Sequence, residues 1–225
     1  MGGTLIDYEG FPQYWGDYYV PAFKQVSDQL NLHAAEEHIH AAAETLKTYN
    51  PRLYPREIEY QPAYIFADVF HGWRIADEMI DTAIAAFFAY FQQTVMIYPE
   101  TISVIDYLHV KGYKIGILTD VPTGMPTEVL MQDIRAFEDK IDYFLTSTDC
   151  GYRKPNAKGI EIIAERFGVD VSKIAVVGNE KKDVAAAINA GTVSILINRE
   201  STTKDYGEDL RISQLTEIIH LMENE

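Results

Sequence analysis

From Tyr98 onward the chain alternates short apolar runs with amphipathic segments. That alternation limits the fold more than any other feature of the sequence. "KIGILTD", "YFLTSTD", "KIAVVGN" and "VSILINR" are each a few apolar residues ending in polar or turn residues. Between and beside them, "PETISVIDYLHVKG", "PTEVLMQDIRAFEDK", "NAKGIEIIAERFG" and "DVAAAINAG" carry helical spacing. Strands alternating with helices of this length predict an α/β fold with a parallel, Rossmann-like sheet covered on both faces. Residues 15–97 have a different rhythm. "VPAFKQVSDQLNL", "AAEEHIHAAAETLKTY", "QPAYIFADVFHGW" and "DEMIDTAIAAFFAYFQQTV" place apolar residues three and four apart, and Asn50-Pro51 and Tyr54-Pro55 punctuate them. They predict about four helices and no strand, inserted into an α/β core formed by residues 1–14 and 98–225.

Composition excludes several classes of function. A formal net charge of -15 is unsuited to nucleic acid, which is gripped by cations. The apolar stretch Ala83 to Phe91 is too short to span a bilayer. Cys150 is the only cysteine, so no internal disulfide can form, and no signal peptide is legible. A cytoplasmic protein is expected, with neither nucleic acid nor membrane as partner.

Ligands of open α/β sheets bind at the carboxyl ends of the strands. The polar residues there are Thr119 and Asp120, then Lys154 before Pro155, then Asn179, Glu180 and Asp183. A hydroxyl with a lysine suits a phosphate, and carboxylate and amide oxygens suit Mg²⁺. Each residue alone also has an ordinary reading: a turn hydroxyl, a solvated lysine, a polar helix start. Their joint occurrence at successive strand ends favours a site. Elsewhere, His33 with Glu37 and Glu36 with His40 sit four apart and read better as a solvated helix face than as metal ligands. Cys150 reads as a neutral loop residue near the site. Tyr8, Tyr14, Trp15, Tyr18 and Tyr19 read as packing first and substrate contact second. Asp7 lies past the first turn, where it is poorly placed as a nucleophile.

"KGYKIGILTD", "GYRKPNAKGIEI" and "VVGNEKKDVAAAINAG" resemble the second, third and fourth motifs of haloacid-dehalogenase-like (HAD) hydrolases. "YPETISVIDYLHVKG" is similar to the segment entering the second motif. "MGGTL" resembles the end of the first motif, Asp-x-Asp-x-Thr. Met1 then takes the place after the nucleophile, Gly2 that of the second Asp, and Thr4 that of the Thr. The resemblance implies a HAD-like core, with residues 15–97 as a mobile helical cap, and a phosphatase of small-molecule phosphate esters using an aspartyl-phosphate intermediate. It implies that Thr119, Lys154 and Thr4 are catalytic and that Thr119, Asp120, Lys154 and Gly3 bind phosphate. Mg²⁺ would be held by the Gly2 carbonyl and Asn179, with Asp183 in support.

Three departures matter. No nucleophilic Asp is present, Gly2 replaces the general acid/base, and Asn179 stands where Asp is usual. The expectation is that the natural protein carries an apolar strand and an Asp ahead of Met1, and that the 225 residues alone do not turn over. The strands ending at Thr119 and Gly178 should then be separated by a gap of about 9.6 Å, filled by another segment. Two other readings stay open: a metal-independent dehalogenase-like hydrolase, and a catalytically dead homologue that binds a metabolite or partner.

Overall fold

The computed structural model describes every residue except 11, 13, 92, 93, 202, 224 and 225. A tight turn at the start leads into β1 (Ile6–Glu9). Four helices follow: α1 (Tyr19–Gln29), α2 (Glu36–Thr48), α3 (Pro62–Val69) and α4 (Ile80–Tyr90). Pro62 opens α3, where its missing N–H costs nothing. The chain returns through β2 (Thr94–Ile97) to α5 (Thr101–Val110) and β3 (Gly116–Thr119). Next come α6 (Thr127–Met131), β4 (Tyr143–Thr146), α7 (Ser147–Cys150) and α8 (Lys158–Phe167). The C-terminal part runs β5 (Ala175–Gly178), α9 (Lys181–Ala190), β6 (Val193–Ile197), β7 (Leu210–Ile212) and α10 (Thr216–Glu223).

The helices of the insertion pack through rings. Phe23, Phe66 and Phe87 are fully buried, with Phe87 centred 4.6 Å from Phe23 and 5.5 Å from Phe66. Val121, Met125 and Leu130, which follow β3, belong to the same apolar cluster, so the two parts of the chain share a core. The parallel pairing expected from the strand pattern is present. β3 lies beside β4 with Thr119 opposite Thr146, and β5, β6 and β7 form a parallel set. Helix α8 covers β3 and β4, and α9 covers β5 and β6. Among the described residues no ladder joins β3 to β5.

Three expectations need correction. Residues 15–97 are not purely helical, because β2 pairs antiparallel with β1, Ile97 opposite Ile6. This pair closes the base of the insertion. Residues 92 and 93, assigned to the last inserted helix, lie outside the described residues. The helix expected over 126–140 breaks after α6 into 3₁₀ turns at Gln132–Ile134 and Glu138–Lys140. Ile134 and Phe137 lie three apart and are both fully buried against Ile6, Ile105 and Ile117. Ile134 ends the first of these turns and Phe137 lies between the two. His33 has φ +50° and precedes α2, so it does not share a helix with Glu37. Removing the ring at the centre of the inserted helices should be costly: Phe87→Ala is expected to lower unfolding free energy by about 3–5 kcal/mol, measured by urea denaturation.

Candidate active site

The carboxyl ends of β3 and β5, the first turn and the start of α9 open onto one cleft of about 1630 Å³. Gly2, Gly3, Thr119, Asp120, Lys154, Asn179 and Asp183 all line it. Of the residues expected at the site, only Thr4 is set behind the wall. It is buried, and its hydroxyl donates to Asn179 Oδ1 at 3.3 Å.

Lys154 is the centre of the arrangement. Its side chain is 10% exposed, with Nζ 2.6 Å from Asp183 Oδ1 and 3.4 Å from the Leu118 carbonyl. Its backbone N–H donates to Asp120 Oδ1 at 3.1 Å. Asp120 Oδ2 in turn meets Lys182 Nζ at 3.1 Å, and Lys182 also contacts Glu180 at 2.9 Å. For Lys154, Asp120 and Asp183 burial works against the charge, but the partners outweigh it. Lys154 is held above the ordinary lysine range by Asp183 and Asp120. Asp120 is held below the ordinary carboxylate range by Lys154, Lys182 and Arg153. Asp183 is likewise held down, chiefly by Lys154. Lys154, Asp120 and Asp183 are therefore charged at neutral pH.

Local geometry explains why particular residues occupy the turns. Asp183 sits in the first turn of α9, where Oδ2 accepts the N–H groups of Asn179 at 3.1 Å and Glu180 at 2.9 Å. That caps the helix while aiming Oδ1 at Lys154. Gly178 allows the close approach: a Cβ there would lie 2.2 Å from Asp183 Cβ. Gly3 has φ +73°, and a Cβ on it would fall 2.3 Å from Asn179 Nδ2, so only glycine fits. Arg199 braces this turn from outside. It donates to the Thr4 carbonyl at 2.7 Å, pairs with Glu100 at 2.7 Å and lies 3.5 Å above the Tyr98 ring.

Oxygen donors that a metal could use here are the Asn179 amide and the Asp183 carboxylate, with Gly2 also in the cleft lining. Asp183 Oδ1 is buried and has no hydrogen-bond partner, only the charge contact with Lys154. Mg²⁺ is commonly held by one or two carboxylates with phosphate oxygens and water completing the shell, so this set fits it. No cluster of three or more His, Cys, Asp or Glu suited to a metal occurs among the described residues.

Other residues singled out from the sequence fall in structural roles or at the cleft edge. Cys150 is half-buried beyond the cleft wall, with Sγ 3.0 Å from the Tyr152 carbonyl and its thiol pushed up by burial. Trp15 stacks on Phe91 at 4.6 Å while also lining the cleft. Asp7 accepts from the Tyr98 hydroxyl at 3.0 Å. Lys182 and Arg153 were not singled out, although each adjoins a motif residue that was. Glu59 has a local partner in Arg56, three residues before it, but its partners Ser147 and Arg153 lie 88 and 94 residues away.

The Lys154–Asp183 pair yields a direct test. Lys154→Met strands a buried carboxylate and is expected to cost about 3–5 kcal/mol in thermal or urea unfolding. Adding Asp183→Asn, which keeps an acceptor for the two capping N–H groups, should restore most of that loss.

A glyceraldehyde 3-phosphate phosphatase from Methanothermobacter thermautotrophicus is 34% identical over 134 residues, 54% of this chain and 58% of that protein. The match thus spans little more than half of the relative. Among solved structures, a HAD phosphatase from Thermococcus onnurineus aligns with all of this chain and 96% of its own, at TM-score 0.61 and 20% identity. A 2-haloacid dehalogenase from Pseudomonas syringae covers the same shares at TM-score 0.67 and 17% identity. At such identities the likeness establishes the fold alone. No helix among the described residues is long and apolar enough to cross a membrane. The haloacid dehalogenase-like hydrolase model matches residues 1–191, and the chain belongs to that family.

Proposed function

We propose that this chain carries the phosphate- and metal-holding part of an enzyme that hydrolyses small-molecule phosphate esters in the cytoplasm. The observation that carries the reading is Lys154. A buried ammonium is fixed at the strand ends within contact of one carboxylate and opens onto a cleft shared with Thr119 and the Gly3 turn. An ammonium and a hydroxyl held this way can neutralise and orient a phosphoryl group without reorganising. The phosphatase named among the relatives supports the same substrate class.

In this reading Thr119 and the Asp120 N–H bind phosphate oxygens, and Lys154 balances their charge. Thr4 keeps Asn179 oriented through its hydroxyl. Asn179 Oδ1, the Gly2 carbonyl and Asp183 would hold Mg²⁺, which when bound supplies further charge neutralisation at the phosphoryl group. The helices between β1 and β2 act as the cap over the cleft. In this reading Met1 and Gly2 contribute no carboxylate at the turn, and the residues above hold the phosphate.

A second reading, a metal-independent dehalogenase-like hydrolase, is favoured by one observation: Gly2 puts no acid/base carboxylate beside the phosphate position. One experiment separates the two. Joining an apolar strand ending in Asp ahead of Met1 is expected to give hydrolysis of p-nitrophenyl phosphate that a chelator abolishes. Lys154→Ala should then lower kcat by about 10²-fold or more. Chelator-resistant turnover of a haloacid instead would establish the second reading. Absence of both activities would leave a binding homologue.

A further inference from the structure

The stretch between α2 and α3 does not behave as part of the helical insertion alone. It is zipped onto the loop that leads from α7 to Lys154. Glu59 N–H donates to the Gly151 carbonyl at 2.9 Å, and Arg153 N–H donates to the Glu57 carbonyl at 2.7 Å. Ile58 and Tyr152 face each other between these two bonds as an antiparallel bridge. At the centre lies the Glu59 carboxylate, with no exposed side-chain surface. Oε2 accepts from Ser147 Oγ at 2.7 Å and pairs with Arg153 Nη1. Oε1 accepts from the Tyr60 N–H at 3.0 Å and pairs with Arg56 Nη2 at 3.1 Å.

The partners of Glu59 reach the site. Arg153 Nη2 donates to the Val121 carbonyl at 3.0 Å, and Ser147 Oγ accepts the Val121 N–H at 3.0 Å. Both backbone polar groups of the residue after Asp120 are therefore held by side chains that Glu59 holds. Lys154, directly after Arg153, closes the circuit through its N–H to Asp120.

We propose that Glu59 is a positioning residue: through Arg153 and Ser147 it fixes the two turns that present Thr119 and Lys154 to a phosphoryl group. The proposal rests on the reading of Lys154 as a phosphate ligand given above. Glu59 itself does not line the cleft, so it acts only through these neighbours. A buried ion pair adds little stability over an apolar pair of similar size, so fixed geometry is the more demanding role it can serve here.

The test uses the full chain, inorganic phosphate as ligand, and amide hydrogen exchange. Glu59→Gln is expected to weaken phosphate binding about tenfold. It should also speed exchange at the Val121, Arg153 and Lys154 amides more than at Ile195 and Leu196 in β6. The double variant Glu59→Gln/Arg153→Met removes both charges of the Glu59–Arg153 pair and leaves only Arg56, whose side chain is 13% exposed, without its carboxylate. It should regain thermal stability while phosphate affinity stays low and exchange at the turns stays fast. Recovery of affinity together with stability would overturn the proposal, as would exchange that rises equally in β6. If the unaltered chain fails to bind phosphate, the functional reading falls, and the exchange comparison alone then decides the role of Glu59.

Discussion

A lysine ammonium taken out of water and placed 2.6 Å from a carboxylate is the constraint to which the rest of the site answers. Each charge is costly to bury alone, so the pair persists only if both partners are delivered to the same place. Lys154 arrives on the loop after α7 and Asp183 on the first turn of α9, from strands that share no ladder among the described residues. The capping bonds of Asp183, the Asp120 contact to the Lys154 backbone and the glycine at 178 each remove one way in which the two could drift apart. Among the described residues these contacts, and no shared ladder, join the two sides of the cleft floor.

The strand-end residues were legible because their positions follow from chain-local patterns. A short apolar run followed by Thr119, by Lys154 before Pro155, or by Asn179 to Asp183 declares both the strand and its exposed end. Features set by distant partners were not legible. β2 is four residues long and exists because Ile6–Glu9 lies beside it, so nothing in "TVMI" distinguishes it from the end of a helix. β7 and α10 were also not foreseen. β7 is three residues held by β6, and α10 is a short helix resting on α5. The segment over 126–140 has helical spacing, yet burial of Ile134 and Phe137 against β1 and β3 decided its winding. Here tertiary packing overrode local preference.

Glu59 is the strongest case of the same limit. In the sequence it is one of two acids in the connection between α2 and α3. In the fold it gathers two arginines, a serine and a backbone N–H without contact with solvent. Arg153 could be suspected from its place beside Lys154, but its counter-charge could not. Buried ion pairs formed across 94 residues carry no periodicity, and a single sequence has no way to announce them.

The charge distribution has a kinetic consequence. The chain carries a net charge of -15, yet Arg153, Lys154 and Lys182 are gathered at one cleft. Each of these three cations is paired with a carboxylate, so an anionic ligand approaching from afar meets a repulsive field, screened over ~8 Å at physiological ionic strength. Added salt shortens the repulsive reach before it weakens the buried contacts. Encounter with an anion should therefore quicken with ionic strength over the range where the bound complex loosens only slightly, the reverse of the steering shown by proteins whose overall charge attracts their ligand.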